Sequence, residues 1–137
     1  MVKGISVIIP NYNGINLFPL TLPTVLEALK NSNRPYEIIV ADDCSTDGSV
    51  EFLQQNYPEI KIVLNTMNSG FSVTTNNGVA AAIYDKVLLL NSDVKLTPDY
   101  FLHQYKYFEK TDTFGVMGRI IGWADLTIQD GAKYPGM

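Results

Sequence analysis

Four short apolar runs, each cut off by a polar break, constrain this chain more than any other feature. Ile5-Ser6-Val7-Ile8-Ile9 runs into Pro10-Asn11-Tyr12-Asn13-Gly14, and Glu37-Ile38-Ile39-Val40-Ala41 into Asp42-Asp43. Ile60-Lys61-Ile62-Val63-Leu64 runs into a polar turn over 65–70, and Lys86-Val87-Leu88-Leu89-Leu90 into Asn91-Ser92-Asp93. Runs this short and this rich in branched residues predict strands buried on both faces.

Helix-like stretches lie between them, at Leu17–Leu29, Val50–Asn56 and Phe71–Tyr84. Pro19 and Pro23 predict that the first is regular mainly after Pro23. Ser45-Thr46-Asp47-Gly48-Ser49 offers side-chain caps for the second, and Ala80-Ala81-Ala82 favours the third. Thr97-Pro98 predicts another helix start, with the helix reaching Lys110, and 114–121 reads as a fifth strand. The order β-α-β-α-β-α-β predicts an α/β fold, Rossmann-like, with a mostly parallel sheet and helices on both faces.

Such sheets bind ligands beyond the carboxyl ends of their strands. That rule gathers Pro10-Asn11-Tyr12, Asp42-Asp43 and Asn91-Ser92-Asp93 at one edge, and two of these three strand ends carry carboxylates. No GxxxxGK[ST] occurs and no GxGxxG follows the first strand, so the glycine cradles for phosphate are missing. A diphosphate bound here needs another counter-charge, which a divalent metal on Asp93 supplies. Mg²⁺ or Mn²⁺ suits the position, since phosphate oxygens and water can complete its shell. Asn-Ser-Asp is also good turn chemistry by itself. Adjacent carboxylates leave a strand in different directions, so one of Asp42 and Asp43 can meet a ligand while the other caps the loop.

At 137 residues with a net charge of −4, the chain reads as a single domain without a broad basic surface for nucleic acid. Cys44 is the only cysteine and His103 the only histidine, which excludes an internal disulfide and a Cys/His zinc site. Both read as packing or surface residues, and Trp123 reads as structural or as a border to a sugar pocket. No apolar run approaches the roughly 20 residues of a membrane span. The start leads straight into a strand, so no signal peptide is expected and the expected location is cytoplasmic.

"SVIIPNYNG", "EIIVADDCSTDGS", "NSGFSVTTNNGVAAA" and "VLLLNSDVKLTPDYF" together resemble the amino-terminal half of a family 2 glycosyltransferase of the GT-A fold. "GVMGRIIGWADLTIQDGAKYP" is similar to the rhamnosyltransferase-like branch, and the resemblance runs in order from Ile5 to Pro135. It implies an inverting transfer of a sugar from a nucleotide diphosphate donor, UDP or dTDP first, to a saccharide or lipid-linked acceptor. Carried over by position, Pro10, Asn11 and Tyr12 line the base pocket, Asp42 holds a uracil or thymine ring, and Asp43 lies near base and ribose. Asn68, Gly70 and Asn76 fall near the nucleotide. Asn91-Ser92-Asp93 takes the DxD-like position, with Ser92 beside the nucleotide and Asp93 as metal ligand; the first position is Asn rather than Asp. No segment here matches the one that carries the general base in the family. That catalytic residue is expected C-terminal of Met137, and residues 1–137 are expected to be one donor-binding domain of a longer enzyme. Membrane association of the parent and its oligomeric state are left open.

Three other classes compete, one of them a nucleotidyltransferase, whose glycine-rich, basic loop after the first strand has no match in Asn11–Asn16. A receiver-type phosphoacceptor module shares the length and the strand-end aspartates, although its acidic pair ends the first strand. A non-catalytic nucleotide-binding or scaffold domain is the third.

Overall fold

The computed structural model describes residues 2–102, 119–122 and 127–130. Strand β1 (Val2–Asn11) leads into helix α1 (Phe18–Asn31), β2 (Tyr36–Asp42) into α2 (Ser49–Asn56), and β3 (Lys61–Leu64) into α3 (Phe71–Ala80). After β4 (Tyr84–Leu89) come three short strands, β5 (Val94–Lys95), β6 (Arg119–Gly122) and β7 (Thr127–Asp130).

The first four strands form one parallel sheet in the order β3-β2-β1-β4. The strand order therefore reverses between β1 and β4, and the crevice of a doubly wound sheet opens at such a reversal. A receiver-type sheet has β1 between β2 and β3. Here β1 lies between β2 and β4, which removes that alternative.

Alternation along β1 and β2 explains why their runs are apolar throughout. Ile5, Val7, Ile9, Ile38 and Val40 join a core with Phe18, Leu22, Val25 and Leu29 of α1 and Leu53 of α2. Ile8 and Ala41 face α3 on the other side: a Cβ at Gly78 would stand 2.6 Å from Ile8 Cγ2 and 3.2 Å from the Ala41 Cβ. Only a residue without a side chain lets the helix lie this close.

Several boundaries differ from the sequence expectation. Helix α1 continues through Pro23, with Pro19 in its first turn; both prolines are on the exposed face, where water can serve a freed carbonyl. Helix α2 starts from Gly48 at φ 87° without a side-chain cap on that residue; the Ser45 hydroxyl donates to Asp42 instead, and Asp47 accepts from the Ser49 N–H at 2.9 Å. Helix α3 stops at Ala80 rather than Tyr84. There Glu37 Oε2 accepts from the Ile83 N–H at 2.8 Å, Ser6 Oγ from the Tyr84 N–H at 3.3 Å, and Lys61 donates to the Ala81 carbonyl at 3.2 Å. Side chains of the neighbouring strands thus draw the alanine-rich segment out of the helix.

Beyond Asp93, β5, β6 and β7 make a second, antiparallel sheet, with Val94 opposite Gly122 and Ile121 opposite Ile128. The expected fifth strand is therefore seen at Arg119–Gly122, outside the parallel sheet. The chain turns helical at Tyr100. The remainder of that expected helix to Lys110, the start of the expected strand at 114–118, His103, Trp123 and Met137 lie outside the described residues. The general base expected C-terminal of Met137 thus falls outside them as well. No helix among the described residues is long and apolar enough to cross a membrane.

Candidate functional site

A cleft of about 460 Å³ lies at the carboxyl edge of the parallel sheet, on the reversal between β1 and β4. Pro10, Asn11, Tyr12 and Leu17 line it from β1 and the loop after it, Asp43 from the end of β2, and Asn68, Phe71 and Thr74 from the β3–α3 side. Asn91, Ser92 and Asp93 close it after β4.

Beneath this wall the β1 and β2 ends are knitted together. Asn11, 3% exposed, donates through Nδ2 to Asp42 Oδ1 at 2.8 Å and to Ser45 Oγ at 3.1 Å. Asp42, 2% exposed, also accepts from the Ser45 N–H at 2.9 Å and the Ser45 hydroxyl at 2.6 Å. Across the same seam the Asn13 N–H reaches Ser45 Oγ at 2.9 Å, the Thr46 N–H reaches Asn13 Oδ1 at 2.8 Å, and the Ile15 N–H reaches Asp47 Oδ2 at 3.0 Å. Gly14 belongs to this packing: a Cβ there would meet Asn11 Oδ1 at 2.5 Å and Ser92 Oγ at 3.4 Å.

Asp43 faces the other way. Its Oδ1 accepts from Asn65 Nδ2 at 2.9 Å and the Ser69 N–H at 2.7 Å, and its Oδ2 accepts from the Gly70 N–H at 3.0 Å. The Ser69 and Asn65 bonds, helped by Gly70 and Thr74, outweigh burial and hold this carboxyl below the ordinary aspartate value. Gly70 adopts φ 88°, a backbone conformation that suits glycine, and so brings its N–H to the carboxylate.

Asn91-Ser92-Asp93 opens a tight turn, closed by the Val94 N–H on the Asn91 carbonyl at 3.3 Å. Asp93 is exposed on the turn while Val94, next along, is 4% exposed in the core. The turn expected of this tripeptide is present, and it sets the Asp93 carboxylate on the cleft.

A family model described as glycosyl transferase family 2 matches residues 6–132. The chain belongs to that family.

As a family 2 chain it is 34% identical over 131 residues to the putative teichuronic acid biosynthesis glycosyltransferase TuaG of Bacillus subtilis (strain 168), covering 93% of this chain and 49% of TuaG. It therefore spans about half the length of that relative. Among solved structures it superposes on S. aureus TarS in complex with UDP-GlcNAc with a TM-score of 0.66 at 24% identity, over 79% of this chain and 32% of that one. The mannosyltransferase PcManGT from Pyrobaculum calidifontis, in complex with GDP-Man and Mn²⁺, gives a TM-score of 0.64 at 23% identity, over 79% and 33%. Both are glycosyltransferases, and the shared fold is GT-A.

Of the site residues expected for a family 2 chain, Pro10, Asn11, Tyr12, Asp43, Asn68, Ser92 and Asp93 come together on the cleft. Asp42, expected against the base, does not line it. As the residue paired in register with Asn11 it is buried under the wall, and the next residue, Asp43, takes the position facing the cleft. Gly70 acts through its N–H to Asp43, and Asn76 is exposed on α3 away from the wall. Leu17, Phe71, Thr74 and the supporting Asn65 escaped the sequence reading. The strand-end rule, applied to β3 as well, would have found Asn65.

Among the described residues no group of three or more His, Cys, Asp or Glu side chains stands together to hold a metal. At the Asn91–Asp93 turn the side-chain donors are an amide oxygen, a hydroxyl and one carboxylate. That hard, all-oxygen set fits Mg²⁺ or Mn²⁺ sharing its shell with diphosphate oxygens and water, and fits no protein-only cage.

Proposed function

We propose that this chain is the nucleotide-sugar-binding part of an inverting glycosyltransferase. The enzyme moves a sugar from a nucleoside diphosphate, UDP or dTDP first, to an acceptor hydroxyl in polysaccharide or glycoconjugate assembly. The observation that carries this reading is that one cleft brings together two carboxylates in different settings, Asp43 held by the β3–α3 loop and Asp93 exposed on its turn.

Asp43 lines the cleft with an acceptor-only carboxylate, to which a base N–H or a ribose hydroxyl can donate. Tyr12 and Phe71, 58% and 45% exposed on the same cleft, offer aromatic faces to a base ring. Asp93 with Asn91 and Ser92 would hold a divalent ion, which when bound supplies neutralising charge to the departing diphosphate. The complexes of TarS with UDP-GlcNAc and of PcManGT with GDP-Man and Mn²⁺ support this reading, as does the name of TuaG. Inverting transfer needs a base opposite the leaving group, and we assign none among the described residues. The acceptor of this reading is a saccharide or lipid-linked hydroxyl that meets the donor sugar, in the cytoplasm or at the inner face of a membrane.

Calorimetric titration of UDP, dTDP, GDP and ADP, with and without Mn²⁺, tests the reading. One pyrimidine diphosphate is expected to bind in a Mn²⁺-dependent way, and Asp93→Ala is expected to remove that dependence. No binding of any of the four overturns it.

A further inference from the structure

Asp93 is exposed, yet the segment that carries it is pinned at points on either side. Thr21 of α1, 3% exposed, places its hydroxyl 2.9 Å from the Ser92 carbonyl. The same hydroxyl is 3.0 Å from the Leu17 carbonyl one turn back, the ordinary partner for a helical threonine. A hydroxyl has one proton, so the two carbonyls share it. Nearly one turn on, the Thr24 hydroxyl donates to the Thr21 carbonyl at 2.7 Å and accepts from the Leu96 N–H at 3.0 Å. Nothing about α1 needs either contact with the segment after β4. Both fall on the backbone within three residues of Asp93, where β4 has ended and β5 offers only two residues of pairing.

We propose that Thr21 and Thr24 are positioning residues for the Asp93 carboxylate. Their hydroxyls fix the Ser92 carbonyl and the Leu96 amide and so hold the Asn91–Val94 turn at the angle that aims Asp93 into the cleft. The inference rests on the nucleotide-sugar reading, with Asp93 as the residue that meets the metal-bound diphosphate. Burial of Val94 and Leu96 keeps the segment on the core, but apolar packing is not directional. The two hydroxyls supply the direction.

The test is calorimetric titration of UDP, dTDP, GDP and ADP, with and without Mn²⁺, on the unaltered chain and on Thr21→Val, Thr21→Ser and Thr24→Val, with folding checked by urea unfolding. Thr21→Val keeps the shape of the side chain and loses the bond. It is expected to weaken Mn²⁺-dependent nucleotide binding about tenfold, the effect of one lost hydrogen bond of ordinary strength, and to leave Mn²⁺-free binding unchanged. Thr21→Ser is expected to restore the Mn²⁺-dependent affinity, and Thr24→Val to show the same selective loss. Equal loss with and without Mn²⁺, or no loss in any folded variant, overturns the inference while the donor reading stands. Should Thr21→Val fail to fold, Thr24→Val decides alone. If the unaltered chain binds none of the four nucleotides, the donor reading falls and this inference falls with it.

Discussion

Asn11 and Asp42 stand opposite each other in register on neighbouring strands, and the Asn11 amide donates to the Asp42 carboxylate at 2.8 Å across 31 positions of sequence. The bond ties the β1 and β2 ends together under the cleft wall. It separates the work of the adjacent pair: Asp42 braces the wall, and Asp43 faces the ligand space.

The division predicts opposite phenotypes. Asp42→Ala strands three donors, the buried Asn11 amide and the part-buried Ser45 N–H and hydroxyl, and is expected to cost about 2–4 kcal/mol of folding stability. Asp43→Ala is expected to abolish nucleotide binding in the folded chain. Urea unfolding beside calorimetric titration separates the two outcomes.

Asp43 also sets an acid limit. Its folded carboxyl titrates below the ordinary aspartate value of about 3.9. As pH falls the unfolded chain takes up this proton before the folded one does. The contribution of Asp43 to stability is therefore complete above the ordinary value and disappears as pH drops through the lower folded one. Hydrogen exchange is expected to show the Ser69 and Gly70 amides protected from neutral pH down to about 4, with protection lost only in stronger acid. Loss of protection near pH 6 would contradict the assignment.

Glu37 provides a control at the far edge of the sheet. Burial raises its pKa, but the Ser6 hydroxyl, the Ile83 N–H and Lys61 outweigh that and leave it lowered. Glu37→Ala is expected to destabilise the fold by about 1–3 kcal/mol, mainly through the hydrogen bonds, since Lys61 is 42% exposed and its ion pair is screened. Nucleotide affinity, measured on the folded variant, is expected not to change.

Gly14→Ala tests the packing under the cleft. The added Cβ would stand 2.5 Å from Asn11 Oδ1, an atom that itself accepts from the Gly14 N–H at 3.1 Å. The Asn11 side chain must move, and its bond to Asp42 must stretch. Nucleotide binding is expected to weaken at least several-fold, with a stability loss of about 1–3 kcal/mol. Unchanged affinity and unchanged urea midpoint would show that the Asn11 side chain has room to adjust.

By itself the sequence determined the alternation of strands and helices, the two-sided burial of Ile5–Ile9 and Ile38–Ala41, and the edge where polar strand ends meet. These follow from local composition and period, which are properties of adjacent residues. Tertiary structure decided the rest. Nothing local reveals that β1 lies between β2 and β4, which is what opens the cleft and removes the receiver arrangement. The two-residue β5 has no period to read, and its partner β6 begins 24 residues after it ends, from Lys95 to Arg119. Helix α3 stops at Ala80 because Glu37, Ser6 and Lys61, distant in sequence, claim the backbone that follows. Asp42 and Asp43 are identical as letters, and only the register with Asn11 and the return of the Ser69–Gly70 loop give them different tasks. A residue type sets which bonds a side chain can make; the partners that complete them are placed by long-range strand pairing.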